Sequence, residues 1–90
     1  EMIKDYLHYL VIQNKTVSNI EVKTNNKNIS KVVGNKKSNK LFFKNKLNIN
    51  MKIKPENLAE DEFIIILDDN KEINIKSEEM YKELYNIYNL

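Results

Sequence analysis

The chain has no cysteine, no tryptophan and no arginine, and only one glycine and one proline in 90 residues. Without cysteine there is no disulfide framework and no thiolate metal site. Without arginine there is no planar, bidentate grip on phosphate or guanine, only the mobile point charge of lysine, which argues against base-specific reading of DNA. A single glycine, Gly34, cannot build a glycine-rich phosphate loop or a nucleophile elbow. His8 is the only histidine, with no serine, cysteine or acid at a recognised motif spacing. Asp68-Asp69-Asn70-Lys71-Glu72 lacks the spacing and the glycine of a calcium loop. No catalytic residue, cofactor or metal is therefore expected. No stretch approaches the ~20 apolar residues that span a membrane, and no charged-then-apolar leader is visible. The expected compartment is the cytoplasm, that of a host cell if a phage encodes the chain. Because Glu1 precedes Met2, Met2 is expected to be the native start and the chain a complete small protein.

What is present is skewed. Asn, Lys and Ile number 15, 15 and 12, nearly half of the chain. These residues have A/T-rich codons, so the skew reflects an A/T-rich genome before it reflects function. Apolar residues make up 41%, enough for one core and too many for a disordered chain. At this length one α+β domain over residues 1–90 is expected.

The pattern is organised around Phe63-Ile64-Ile65-Ile66-Leu67, the only run of five apolar residues, bounded by acids on both sides. It is too short for a helix and reads as a central strand buried on both faces. Upstream, Ile3, Leu7 and Leu10 at i, i+4, i+7 predict a helix over 2–13. From Val17 the period falls to 2, and Ile20 and Val22 predict a strand. Asn25–Asn28 reads as a turn, Ile29–Val33 as a second strand, 34–39 as a polar loop and Leu41–Phe43 as a third strand. Asn45-Lys46 reads as a poor turn into the alternation Leu47, Ile49, Met51, Ile53, which Pro55 stops. Residues 55–60 suggest one helical turn with Leu58 inward. Ile73 and Ile75 return as a hairpin partner of the central strand, and Ser77 caps a closing helix over 78–89. The expected architecture is helix, about six antiparallel strands, helix. Both helices would lie on one face and bury Ile3, Leu7, Leu10, Met80, Leu84 and Ile87.

Charge is segregated. Residues 1–55 hold 12 Lys and 3 acids, a balance of +9, whereas residues 56–90 hold 3 Lys and 10 acids, a balance of −7. Such asymmetry suggests a charged partner. In the acidic half, Glu60, Asp61 and Glu62 precede the central strand and Asp68, Asp69 and Glu72 follow it, with the two groups roughly 20 Å apart at strand rise. That is too far to share a metal, but it suits imitation of a row of phosphates. On the closing helix Tyr81, Tyr85 and Tyr88 form a stripe beside the core residues, either an amphipathic edge of the core or a protein-binding surface that Tyr9 and Ile12 extend. In the basic half, Lys23, Lys27, Lys31, Lys36, Lys37, Lys40, Lys44 and Lys46 offer phosphate contacts, or serve only as solubilising charge. One of the adjacent Phe42 and Phe43 would face outward and could stack on a base.

The profile suits a small non-enzymatic inhibitor of the kind that phages and other mobile elements make, anti-CRISPR proteins among them. Its expected partner is a nucleic-acid-handling protein, blocked sterically and electrostatically by the acids and the tyrosines. Direct RNA or DNA binding by the lysines is the alternative, and a homodimeric structural subunit is a third.

Overall fold

A computed structural model describes residues 2–88. Its elements are α1 (Met2–Gln13), β1 (Asn19–Thr24), a short α2 (Ile29–Val33), α3 (Ser38–Leu47), β2 (Asn50–Pro55), β3 (Glu62–Leu67), β4 (Lys71–Lys76) and α4 (Ser77–Tyr88). Single 3₁₀ turns at Asn26–Asn28 and Asn35–Lys37 lead into α2 and α3. The strands form one mixed sheet in the order β2-β1-β3-β4. β1 pairs with β2 in parallel and with β3 antiparallel, and β3 and β4 form an antiparallel hairpin.

The α+β class stands, but the six antiparallel strands become four in a mixed sheet. Ile29–Val33 and Leu41–Phe43, expected as strands, are helical, and Leu47 closes α3 instead of opening a strand. The reason is spacing combined with connection. Val32 is buried and Ile29 and Val33 half-buried, a helical i, i+3, i+4 set. On α3, Asn39 and Phe43 are buried and Leu47 half-buried, again at helical intervals. A polar residue on the buried face hid that period. Asn39 earns its place because its amide donates to the carbonyls of Lys31 and Val32 at 3.3 and 3.2 Å, tying α3 to α2. No helical turn forms over residues 55–60, and Ser77, expected as a cap, is the first residue of α4. Glu79 instead reaches back to accept from the Lys76 backbone N–H at 3.0 Å.

Period-2 burial is clear in β1 and β3. Ile20, Val22 and Thr24, and Phe63, Ile65 and Leu67, are buried, while the residues between them are less so. The apolar ones among these side chains join Ile3, Tyr6, Leu7 and Leu10 of α1, Val32, Phe43, Ile49, Met51, Ile75 and Met80 in one core. The core thus draws on α2 and α3 as well as on the two terminal helices. Leu84 packs against it. Each such apolar side chain contributes roughly 1.5–3 kcal/mol by leaving water. β3 is interior to the sheet, as its composition implied, but Ile64 and Ile66 on its other face are half-buried, not buried.

Asparagine side chains hold the crossover between β1 and β2 to the loop before β3. Asn25 donates to the Leu58 carbonyl at 2.8 Å and the buried Asn28 to the Glu60 carbonyl at 2.6 Å. Gly34, between α2 and the turn into α3, has φ +88°, and a Cβ there would meet Ser38 Oγ at 2.6 Å and Asn39 N at 2.7 Å. Gly34→Ala is therefore expected to cost about 1–3 kcal/mol, from left-handed backbone and collision together. Urea unfolding checks this, and a variant as stable as the parent would contradict the packing described for the α2–α3 junction.

Candidate functional site

The six acids around β3 do not act as one group. Glu60 is exposed and ion-paired with Lys27 at 2.8 Å. That contact, chiefly a hydrogen bond, lowers the Glu60 carboxyl and raises the Lys27 ammonium from their ordinary values. Its stabilisation is present above the usual carboxylate range and lost as pH falls, and exposure keeps it small. Glu62 accepts from the Ala59 N–H at 3.0 Å. Asp68, with φ 51°, accepts from the backbone N–H groups of both Ser18 and Asn19 at 2.9 Å and so pins the start of β1. The Asp61 carbonyl accepts from Ser77 N–H at 2.8 Å, while its side chain is exposed. Asp69 and Glu72 are exposed. Three of the six carboxylates thus already serve the fold, and the two groups stand at opposite ends of β3.

The tyrosine stripe divides as well. Tyr81 and Tyr85 are 62% and 52% exposed, with ring centroids 6.3 Å apart and planes tilted by 33°. They border a shallow hollow of ≈ 330 Å³ with Lys82 and Asn86. Tyr88 ends α4, and its side chain lies outside the described residues. Tyr9 is half-buried against Tyr6, while Ile12 is 54% exposed. Tyr6 is in the core, and its hydroxyl donates to Glu83 at 2.8 Å. Burial first, then the Glu83 hydrogen bond and charge, push its phenol well above the usual range. That linkage stabilises the fold below pH about 10 and is lost as pH rises further.

The lysines are brought together more closely than spacing along the chain implied. Residues 22–55 contain ten lysines and no acid. This run is β1 from Val22 onward, the crossover and β2. Lys40 and Lys44 lie one helical turn apart on α3, and with Lys37 they surround Leu41, which is 50% exposed, over a depression of ≈ 300 Å³ floored by Ile49, Asn50 and Met51. Lys40 also borders an adjoining hollow with Lys52, Asn50, Glu21 and Asp69. Lys44 donates to Asn50 Oδ1 at 3.2 Å, which fixes the helix against the edge strand. Lys36 and Lys37 carry φ 53° and 63°, left-handed values that two consecutive non-glycine residues seldom hold.

The other expected lysines are elsewhere. Lys27 is paired with Glu60, Lys31 lines a cavity beside Glu60, and Lys23 is half-buried on the sheet face opposite the core. Lys46 is exposed but lies about 120° round α3 from Lys40. Lys52 and Lys54 were missed as site residues because they read as the wet face of a strand. Lys54 is paired with Glu21 at 3.6 Å. The signal that finds the cluster is the unbroken absence of acids over 22–55. Phe42 is not a free stacking ring. It is half-buried, edge-on to His8 at 5.5 Å and to the buried Phe43 at 5.3 Å, with the Lys4 ammonium 4.3 Å from its centroid. Among the described residues no group of three potential ligands could hold a metal ion, and no helix is long and apolar enough to cross a membrane.

Two of the acids separate structural from surface roles. Asp68→Ala is expected to cost about 1–3 kcal/mol, because it strands two backbone donors and puts a Cβ-bearing residue without local hydrogen bonding at positive φ. Asp68→Asn keeps an acceptor and left-handed tolerance and should cost less. Glu72→Ala should stay within about 0.5 kcal/mol. Chemical denaturation of the three variants tests the ranking, and equal effects at Asp68 and Glu72 would refute it. Compared with protein-family models, curated proteins and solved structures, the chain matches none.

Proposed function

We propose that this chain is a non-enzymatic binding domain that holds nucleic acid by its phosphates, through lysines of the β1–β2 crossover and the adjoining edge of β2. The observation that carries this reading is a difference in how the two charges are used. Lys36, Lys37, Lys40 and Lys52 are exposed and have no ion pair among the described residues, whereas Glu60, Glu62 and Asp68 are engaged within the fold. Lysines that keep their charge for solvent release counterions when phosphates replace it. The backbone supports the same reading. Lys36 and Lys37 sit where asparagine or glycine would be less strained, and strain kept at a surface position is a pointer to use. The surface has no bidentate donor, so binding is without base preference.

A second reading rests on Tyr81 and Tyr85, an exposed pair of rings tilted against each other. It is the anti-CRISPR-like, phage-type inhibitor, covering a nucleic-acid-handling protein with α4, Asp61, Asp69 and Glu72. The same pair would also serve a homodimer.

Replacing Lys37, Lys40 and Lys44 by Glu is expected to weaken binding to a fluorescein-labelled oligonucleotide at least 100-fold at about 50 mM salt. It should also reduce the salt slope by about three. Lys46→Glu should have a much smaller effect. Lys37→Gly should weaken binding while raising stability by up to about 1 kcal/mol. Affinity unchanged in the triple variant would dismiss the surface. The tyrosines are tested in the same assay. Tyr81→Ala with Tyr85→Ala should leave affinity unaltered, and a loss as large as that of the lysine variant would move the interface to α4. Light scattering at twice 10.7 kDa, falling to 10.7 kDa in the tyrosine variant, would identify self-association.

A further inference from the structure

We infer that the ligand of the lysine surface is duplex nucleic acid, contacted along its backbone, and not an unpaired strand. This rests on the phosphate-binding reading above and names its substrate class.

Capture of a single strand depends on rings that offer a face to unstacked bases. The chain has eight aromatic residues, five Tyr and three Phe. Phe43, Phe63 and Tyr6 are buried, and Tyr9 lies against Tyr6. Phe42 is closed in by His8, Phe43 and Lys4. Tyr81 and Tyr85 are on α4 with Glu78, Glu79 and Glu83 against a single Lys82, a net negative charge that repels phosphate, and Tyr88 is the last residue of that helix. Among the described side chains, no free ring therefore accompanies the lysines. The sheet face turned from the core is no substitute. Its cross-strand rows read Lys54-Lys23-Ile64-Asn74 and Lys52-Glu21-Ile66-Glu72, without an aromatic side chain in the places where sheet-based readers of single-stranded RNA stack bases.

The lysines suit a duplex instead. Lys40 and Lys44 on α3 are separated by about 6 Å of helix rise, and Lys52 on β2 is followed about 7 Å along the strand by Lys54, whose ammonium is shared with Glu21 at 3.6 Å. Lys40 belongs to both hollows and links the two ranks. Two short ranks of ammonium groups on neighbouring elements can meet phosphates of both strands, whereas one flexible strand must be ordered to reach them. A duplex also carries one charge per about 1.7 Å of axis, twice the density of a single strand, so each lysine releases more counterion. With a longest extent of 30 Å, the protein covers at most about nine base pairs.

The test is fluorescence anisotropy with the full chain and four labelled 12-mers: duplex DNA, duplex RNA, and one single strand of each. Salt is varied from about 50 to 200 mM. The expected result is at least tenfold tighter binding to a duplex than to either strand, with a log–log salt slope near −4 that a change of base sequence leaves unaltered. Equal duplex affinities assign recognition to phosphate alone, and a preference for one duplex assigns it to groove geometry; both support the inference. Lys40→Glu with Lys52→Glu, shown folded by circular dichroism, should lower duplex affinity at least tenfold and the slope by about two. Single strands bound as tightly as duplexes would overturn the inference while leaving the phosphate-binding reading intact. Absence of binding to all four at low salt would overturn both.

Discussion

Parallel pairing of β1 with β2 is the constraint on which the rest of this structure depends. Two antiparallel strands can be joined by a two-residue turn, but a parallel pair needs a connection that climbs back along the sheet. Residues 25–49 make that climb, as two 3₁₀ turns and two helices. The route explains why Ile29–Val33 is helical despite its β-branched residues. It also explains why Gly34 must take a positive φ, and why asparagine amides are spent on backbone carbonyls at Leu58, Glu60, Lys31 and Val32. Each of those bonds gives a side-chain amide of the irregular crossover a backbone partner.

The same constraint concentrates charge. From Val22 to Pro55, the end of β1, the crossover and β2, the chain is free of acids, and folding brings α3 alongside the start of β2. Lysines far apart in sequence, Lys37 and Lys52 among them, come to border adjoining hollows. The acids have the opposite fate. They lie where strands begin, turn or give way to a helix, and there the backbone has donors to satisfy, so Glu62, Asp68 and Glu79 accept main-chain hydrogen bonds. A carboxylate engaged with two backbone donors, as at Asp68, is a poor imitation of a solvated phosphate.

Particular residues show what was legible in advance. Ile3, Leu7 and Leu10 gave α1 because three residues at helical spacing all enter the core. Ile20 and Val22, and Phe63 to Leu67, gave β1 and β3 because period 2 or an unbroken apolar run has few other uses. Phe42-Phe43 misled, since two adjacent rings fit a strand and a helix equally well. What decided for a helix was Asn39 four residues earlier, a buried amide whose partners are on α2 and invisible in one dimension. The candidate site was half legible. Lys37, Lys40 and Lys44 stood out as charge, but Lys52 and Lys54 were disguised as the solvent face of β2, and Phe42 was credited with a freedom that His8 and Lys4 remove.

By itself, the sequence determined the α+β class, the two terminal helices, the central place of Phe63–Leu67 and the separation of the charges. Those properties follow from local period and composition, which act within a few residues of chain. Tertiary structure alone decided that β1 and β2 run parallel, that the segment between them is helical, and which charges are engaged within the fold. Those outcomes depend on hydrogen bonds and packing between residues 30 to 50 positions apart, such as Asn28 with Glu60 and Ser18 with Asp68. No local pattern encodes them, because each partner taken singly reads as an ordinary polar residue of a loop.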